Sequence, residues 1–194
     1  CDAHTSHDAL WGLGRYSGAS PNDGVEFYYS SSGEILFYAH GGTKITGPVI
    51  KLKQWTHIAI VRSGSTVTMY VDGSDVGSYT ESSDFGSNGN NTFNIGSAKN
   101  SSSSNVDEFD GKISNFRVVN GTAVYTSPFR VPTEPLTNVT NTVLLCCNDS
   151  SVTGKTVGPT ITATDSPTAS TDSPFDDPNG LNFGEGRDQG LIKT

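Results

Sequence analysis

Two β-rich segments, Trp55 to Ser63 and Thr66 to Asp72, flank a Gly64-Ser65 pair in the stretch WTHIAIVRSGSTVTMYVDG. A Gly-Ser pair between such segments predicts a two-residue type II′ hairpin, because glycine supplies the positive φ at the first central position. That turn sets the register: Ser63 faces Thr66, Ile60 faces Met69 and Ile58 faces Val71. Ile58, Ile60, Val67, Met69 and Val71 then share one buried face with Arg62 at its rim. The reverse face carries Trp55, His57, Ala59, Val61, Thr68, Tyr70 and Asp72, too apolar for a solvent surface. One strand of the hairpin is therefore expected to be covered on both sides, as in a sandwich of two sheets. Asp72-Gly73 turns the chain again, and His57 faces Asp72 as an orienting pair. Trp55 is assigned to the core.

The rest of the chain agrees with an all-β architecture. Among 194 residues only 16% are charged and 22 are glycine, which favours short strands joined by turns. No long stretch carries a 3.6-residue period. The net charge of −8 provides no basic stripe for a nucleic-acid backbone and disfavours anionic membrane surfaces. No segment approaches the roughly 18 apolar residues of a membrane span, so neither nucleic-acid binding nor membrane insertion is expected.

Taken in order, Cys1 to Asp8 is polar and reads as loose. ALWGLGRY, Ala9 to Tyr16, reads as a strand whose glycines permit close backbone approach or mark a bulge. Val25 to Ser30 and Glu34 to His40 form a hairpin around Ser31-Ser32-Gly33, with Phe27, Tyr28, Tyr29, Phe37 and Tyr38 clustered on it. Asp110 to Val119 is a strand whose parity breaks near Ser114-Asn115, and Val143 to Cys147 is the last strong strand. From Asp149 the Ser, Thr, Asp and Pro content leaves too few apolar anchors to offset the entropy of ordering. The expected organisation is a sandwich over residues 1–148, a linker or arm over 149–180, and the start of a further module or tail over 181–194. The abrupt ends read as those of a piece of a longer polypeptide. Cys146 and Cys147 are neighbours on a strand, so their side chains should point to opposite faces and bridge poorly.

The pattern Trp, one residue, His, alternating aliphatics, Arg, a Gly turn, then TMYVDG resembles laminin-G-like domains of the concanavalin A-like lectin/glucanase superfamily. A second block, FDGKISNFRVVNGTAVYTSPF from Phe109 to Phe129, is similar to a later strand of that family. With VPTEPLTNVTNTVLLCC after it, this block resembles such domains in structural proteins of marine tailed phages. The resemblance covers roughly Ala9 to Cys147, the part whose strand spacing it matches. It implies an antiparallel β-sandwich of the jelly-roll kind followed by an extended C-terminal arm. It also implies a virion protein of tail fibre or capsid surface, assembled in the host cytoplasm and carried on an extracellular particle. Its partners would be host-surface or environmental glycans, other virion proteins, or copies of itself.

Several kinds of chemistry follow from the residues. Superfamily glucanases need two carboxylates about 5–9 Å apart, but their E-x-D-x-x-E signature is absent. Glu108 and Asp110 share parity without a third partner and read as an acidic strand entry, so no enzymatic activity is expected. No cofactor is required. The resemblance admits calcium, for which Asp72, Asp75, Asp84 and Asp107 supply oxygen, although no D-x-D-x-D-G loop is present. Sugars stack their C–H faces on exposed aromatic rings and need planar polar partners. Trp11, Arg15, Tyr16, Tyr28, Tyr38, His40, His57 and Tyr70 supply these types. The same rings also serve as sandwich core, the commoner fate of aromatics in β proteins. The expected groove lies where Tyr70, Thr68 and His57 meet the segment Val25 to His40. The leading reading is a non-catalytic glycan-binding module; the alternative is an architectural virion protein that binds no sugar.

Overall fold

The computed structural model describes residues 7–14, 24–85, 92–99 and 104–175. Arg15, Tyr16 and the module expected from Leu181 lie outside the described residues. Those described hold thirteen strands and no helix: β1 His7–Leu13, β2 Val25–Ser30, β3 Glu34–Ala39, β4 Gly42–Val49, β5 Ile58–Ser63, β6 Thr66–Val71 and β7 Ser74–Thr80. There follow β8 Phe93–Ile95, β9 Ala98–Lys99, β10 Asn105–Val106, β11 Phe116–Val119, β12 Thr142–Cys146 and β13 Lys155–Val157. They fall into two compact units. One comprises the described residues of Cys1–Ile113 with Thr122–Val131, the other those of Ser114–Gly121 with Pro132–Thr194.

The first unit is an antiparallel β-sandwich. A five-stranded sheet in the order β4-β3-β2-β1-β8 faces a three-stranded sheet β5-β6-β7. Phe27, Tyr29, Ile35, Phe37 and Ile45 from the first sheet pack on Val67, Met69 and Val71 from the second. The hairpin register is the one the Gly-Ser turn requires, with Ser63 opposite Thr66, Ile60 opposite Met69 and Ile58 opposite Val71. Gly64 has φ of 60° and Ser65 is not among the positive-φ residues, which is the II′ arrangement. β6 is the central strand of its sheet, and it is covered on both faces: Met69 is 0% exposed and Tyr70 3%. Asp72 and Gly73, both at positive φ, close the next hairpin as a type I′ turn between β6 and β7.

Strand alternation separates the aromatic cluster of β2 and β3. Phe27, Tyr29 and Phe37 point into the sandwich, while Tyr28 and Leu36 lie on the outer face with Ala9 and Ala98. The small sheet β9-β10 lies beside that outer face, Val106 packing on the outer cluster. β1 begins two residues earlier than its glycines suggested, at His7, and shifts register between Ala9 and Trp11. That bulge lets both Leu10 and Trp11 pack against the inner core.

The second unit is a three-stranded sheet in the order β11-β12-β13. Leu144, Leu145 and Cys146 are buried in it, whereas Val143 is 45% exposed. The parity break before β11 is a left-handed residue: Asn115 has φ of 54°, donates its N–H to Cys147 O at 2.8 Å and accepts Leu136 N–H through Oδ1 at 2.9 Å. The strand expected over 110–119 is consequently confined to 116–119. The two strands expected at the end of the sandwich pair with each other and with β13, which lies within residues 149–180. The alternation argument for the cysteines also fails locally. Cys147 lies past the end of β12 at φ of 56°, so its Sγ sits 3.7 Å from that of Cys146, both thiols being free.

Candidate functional site

Between β4 and β5 the chain runs as an irregular turn whose residues 51–55 are all exposed. Ile50, 6% exposed, anchors its start and donates its N–H to Gly33 O at 2.9 Å. Its exit is clamped by Asp72: His57 N–H donates to Asp72 Oδ1 at 2.9 Å, and Asp72 N–H donates to His57 O at 2.8 Å. The pair expected to orient each other therefore does so through the His57 backbone, met by both the carboxylate and the backbone of Asp72. Trp55, assigned to the core on alternation, is 40% exposed. The strand begins only at Ile58, so alternation does not reach back to residue 55. A shallow groove of about 210 Å³ lies here, bordered by Trp55, Gln54, Lys51, Asp72 and Val49. It falls below the roughly 300–1,000 Å³ of sites that enclose small molecules. An open indole face beside an amide, an ammonium and a carboxylate is the combination of surfaces that a sugar ring and its hydroxyls require.

The sequence-selected residues are distributed differently. Trp11 packs against Phe93, Phe27 and Phe37 at ring distances of 5.6, 6.2 and 6.4 Å. Tyr28 is buried, with His7 stacked on it at 3.7 Å, and Tyr38 packs against the outer cluster. Tyr70 meets the edge of Phe129 at 5.5 Å, and His57 stands edge-on to Phe129 at 5.4 Å. The face of Thr68, Tyr70 and His57 is therefore not walled by residues 25–40. The return segment crosses it, with Tyr125 stacked on Phe129 at 3.6 Å. A second shallow groove remains there, lined by Thr66, Thr68, Tyr70, Tyr125 and Thr126. Tyr125 was missed because its segment carries no strand pattern.

His40 occupies the turn between β3 and β4 at φ of 46° and stacks on Phe85 at 5.6 Å. Its Nε2 lies 3.4 Å from Glu81 Oε2, close enough for charge attraction but without hydrogen-bond geometry. Glu81, 7% exposed, accepts Ser83 N–H at 2.8 Å and the Tyr79 hydroxyl at 3.4 Å. Arg62 donates to the carbonyls of Gly64, Glu81 and Ser83, so this rim is tied by one cation. Burial alone would raise the Glu81 pKa, but the Ser83 bonds, His40 and Tyr79 together hold it below the ordinary 4.5. A depressed carboxylate contributes stability above its unfolded pKa and loses it as pH falls through the folded one. Glu81→Gln is therefore expected to be destabilising at pH 7, with the gap to the parent narrowing below about pH 4.5. Urea melts of both proteins from pH 7 to pH 3 check this; a constant gap would refute it.

The candidate calcium aspartates are not gathered. Asp72 is engaged with His57 as described, and Asp75 Oδ1 accepts Gly77 N–H at 3.0 Å. Asp84 is exposed. Among the described residues, the group of three metal-capable side chains is instead His7, Glu26 and Asp107. Burial raises the Glu26 pKa; burial, the largest influence on His7, would lower its pKa, but the hydrogen bond to Glu26 and the negative charges of Glu26, Asp107 and Asp8 together raise it. Glu108 and Asp110, the acidic strand entry, are both exposed.

Residues 3–127 match the model of the Laminin_G_3 family, described as concanavalin A-like lectin/glucanases superfamily. No curated protein is similar enough to this sequence to count as a relative. A solved structure of residues 221–444 of an S-layer domain-containing protein from Clostridium thermocellum is 24% identical. That match covers 62% of this chain and 59% of the other, at a TM-score of 0.33. An overlay that loose carries no argument about this chain.

Proposed function

Because the chain belongs to the concanavalin A-like lectin/glucanases superfamily, we propose that it is a non-catalytic glycan-binding module whose site is the Trp55 groove. The observation that carries this reading is the exposed indole at a groove shared with Gln54, Lys51 and Asp72. A groove this shallow buries few hydroxyls, and each buried hydroxyl displaces well-paired water, so a single site binds weakly. Many copies convert weak sites into firm attachment. That requirement suits a virion structural protein of tail fibre or capsid surface, extracellular on the particle and facing host-surface or environmental glycans. The wording of residues 109–147 supports the virion setting.

A glycan array probed with monomer and with a streptavidin-clustered multimer tests the reading. Weak monomer signal and clear multimer signal are expected. Trp55→Ala should reduce the multimer signal at least tenfold, about 1.4 kcal/mol, while leaving the thermal melt nearly unchanged because the ring is partly outside the core. Tyr28→Ala, by contrast, should lose binding only by unfolding, since Tyr28 is buried.

A second reading is favoured by one observation: Val49 and Leu52, 62% and 41% exposed, lie on the same short stretch as Trp55. Exposed apolar groups of this kind also serve as contacts between proteins, which would make the module purely architectural. Absence of multimer binding to every glycan, together with self-association lost in Val49→Ser and Leu52→Ser, would establish that reading instead.

A further inference from the structure

Three side chains converge on the outer face of the five-stranded sheet, away from the Trp55 groove. His7 opens β1, Glu26 is the second residue of β2, and Asp107 follows β10. His7 Nε2 lies 2.9 Å from Glu26 Oε1, and one ligand-capable atom from each of the three lies within 4.8 Å of the others. The His7 ring is held by stacking on Tyr28, its plane inclined by only 9°. Asp107 is placed by its own backbone, which sits at φ of 57° and accepts Ala9 N–H at 2.8 Å.

The unusual member is Glu26. It is 1% exposed, yet its Oε2 is buried without a hydrogen-bond partner. A buried carboxylate oxygen left unpaired is costly, and a second carboxylate beside it adds repulsion. A hydrogen bond from one imidazole answers only Oε1. A divalent cation would answer both the open oxygen and the paired negative charge.

We propose that His7, Glu26 and Asp107 form a binding site for one divalent transition-metal ion of the zinc class. Zinc accepts imidazole nitrogen and carboxylate oxygen at about 2.0–2.2 Å, which places neighbouring tetrahedral ligands roughly 3.3–3.5 Å apart. The present spacing reaches that arrangement by small side-chain rotations. A nitrogen donor in a set of three argues against calcium, which takes 6–8 oxygens. His7 is 32% exposed on its side chain, and a water or an external donor would complete the tetrahedron.

The full chain, stripped with chelator and desalted, is titrated calorimetrically with zinc chloride and, separately, with calcium and magnesium chlorides. The expected result is saturable binding of one zinc, no comparable binding of calcium or magnesium, and visible absorption of a tetrahedral cobalt(II) adduct. Glu26→Gln keeps the shape and the bond to His7, and Asp107→Asn suits a left-handed position. Each is expected to weaken zinc at least tenfold while folding as the parent by circular dichroism. Absence of saturable zinc binding would overturn the proposal. So would zinc affinity that survives both substitutions together, or that is abolished by alkylating Cys146 and Cys147.

Discussion

Phe37→Ala is expected to destabilise the sandwich by about 3–5 kcal/mol, the cost of emptying a fully buried aromatic site. Phe37 is 0% exposed and lies at the centre of the inner aromatic cluster. Its ring is 6.1 Å from Tyr79 and from Phe85, and 6.4 Å from Trp11 and from Phe27. It thus joins strands of both sheets, and neighbours anchored on two separate ladders cannot close a cavity by a local shift. Since a domain is stable by only about 5–15 kcal/mol, the variant should lose a large share of its folded population margin. Urea unfolding followed by tryptophan fluorescence reads this directly, because Trp11 packs beside the same ring. Phe37→Leu, which refills most of the volume, should cost less than half as much. A loss below about 1 kcal/mol for the alanine variant would be typical of a surface site and would contradict the packing described.

Gly73→Ala is expected to cost about 2–5 kcal/mol, from the left-handed backbone and from overpacking acting together. Gly73 sits at φ of 77°, and an added Cβ would collide with the carbonyl of Phe129. The obstacle is backbone, which cannot rotate away as a side-chain tip would. The same contact is the seam of the return segment, where Phe129 N–H donates to Gly73 O at 2.9 Å. The substitution should therefore also loosen Tyr125 and Phe129 from the face of Tyr70 and His57. Equilibrium denaturation gives the energy, and hydrogen exchange at the Phe129 amide locates it. A loss of only the left-handed penalty, with Phe129 still protected, would show that the segment does not dock on the turn.

The candidate sites divide along the same physical line as these two results. Tyr28, Tyr38, Tyr70 and Trp11 were eligible as sugar platforms because ring type is visible in a sequence, but exposure is not. All four belong to strands whose inner and outer faces are both covered, which alternation within one strand cannot reveal. Trp55 departs in the opposite direction: assigned to the core, it is exposed because it stands just before the strand whose alternation it extends. His7, Glu26 and Asp107 are 19 and 81 positions apart along the chain and share no motif. Only the antiparallel pairing of β1 with β2 and the parallel bridge of Ala9 to Glu108 bring them together.

The sequence by itself determined the strand character of residues 58–71, the II′ turn, the register across it and the sandwich it implies. Those properties are local: a positive-φ glycine and a two-residue period admit one hairpin, and a slip of one residue would expose every aliphatic side chain on it. Tertiary structure alone decided that residues 122–131 cover the reverse face, that β11 and β12 pair with β13, and that Trp55 stays open. Each of these depends on which distant segment competes for the same apolar surface. That contest is settled by shape and area once the sheets exist, and neighbouring residues in the chain carry no record of it.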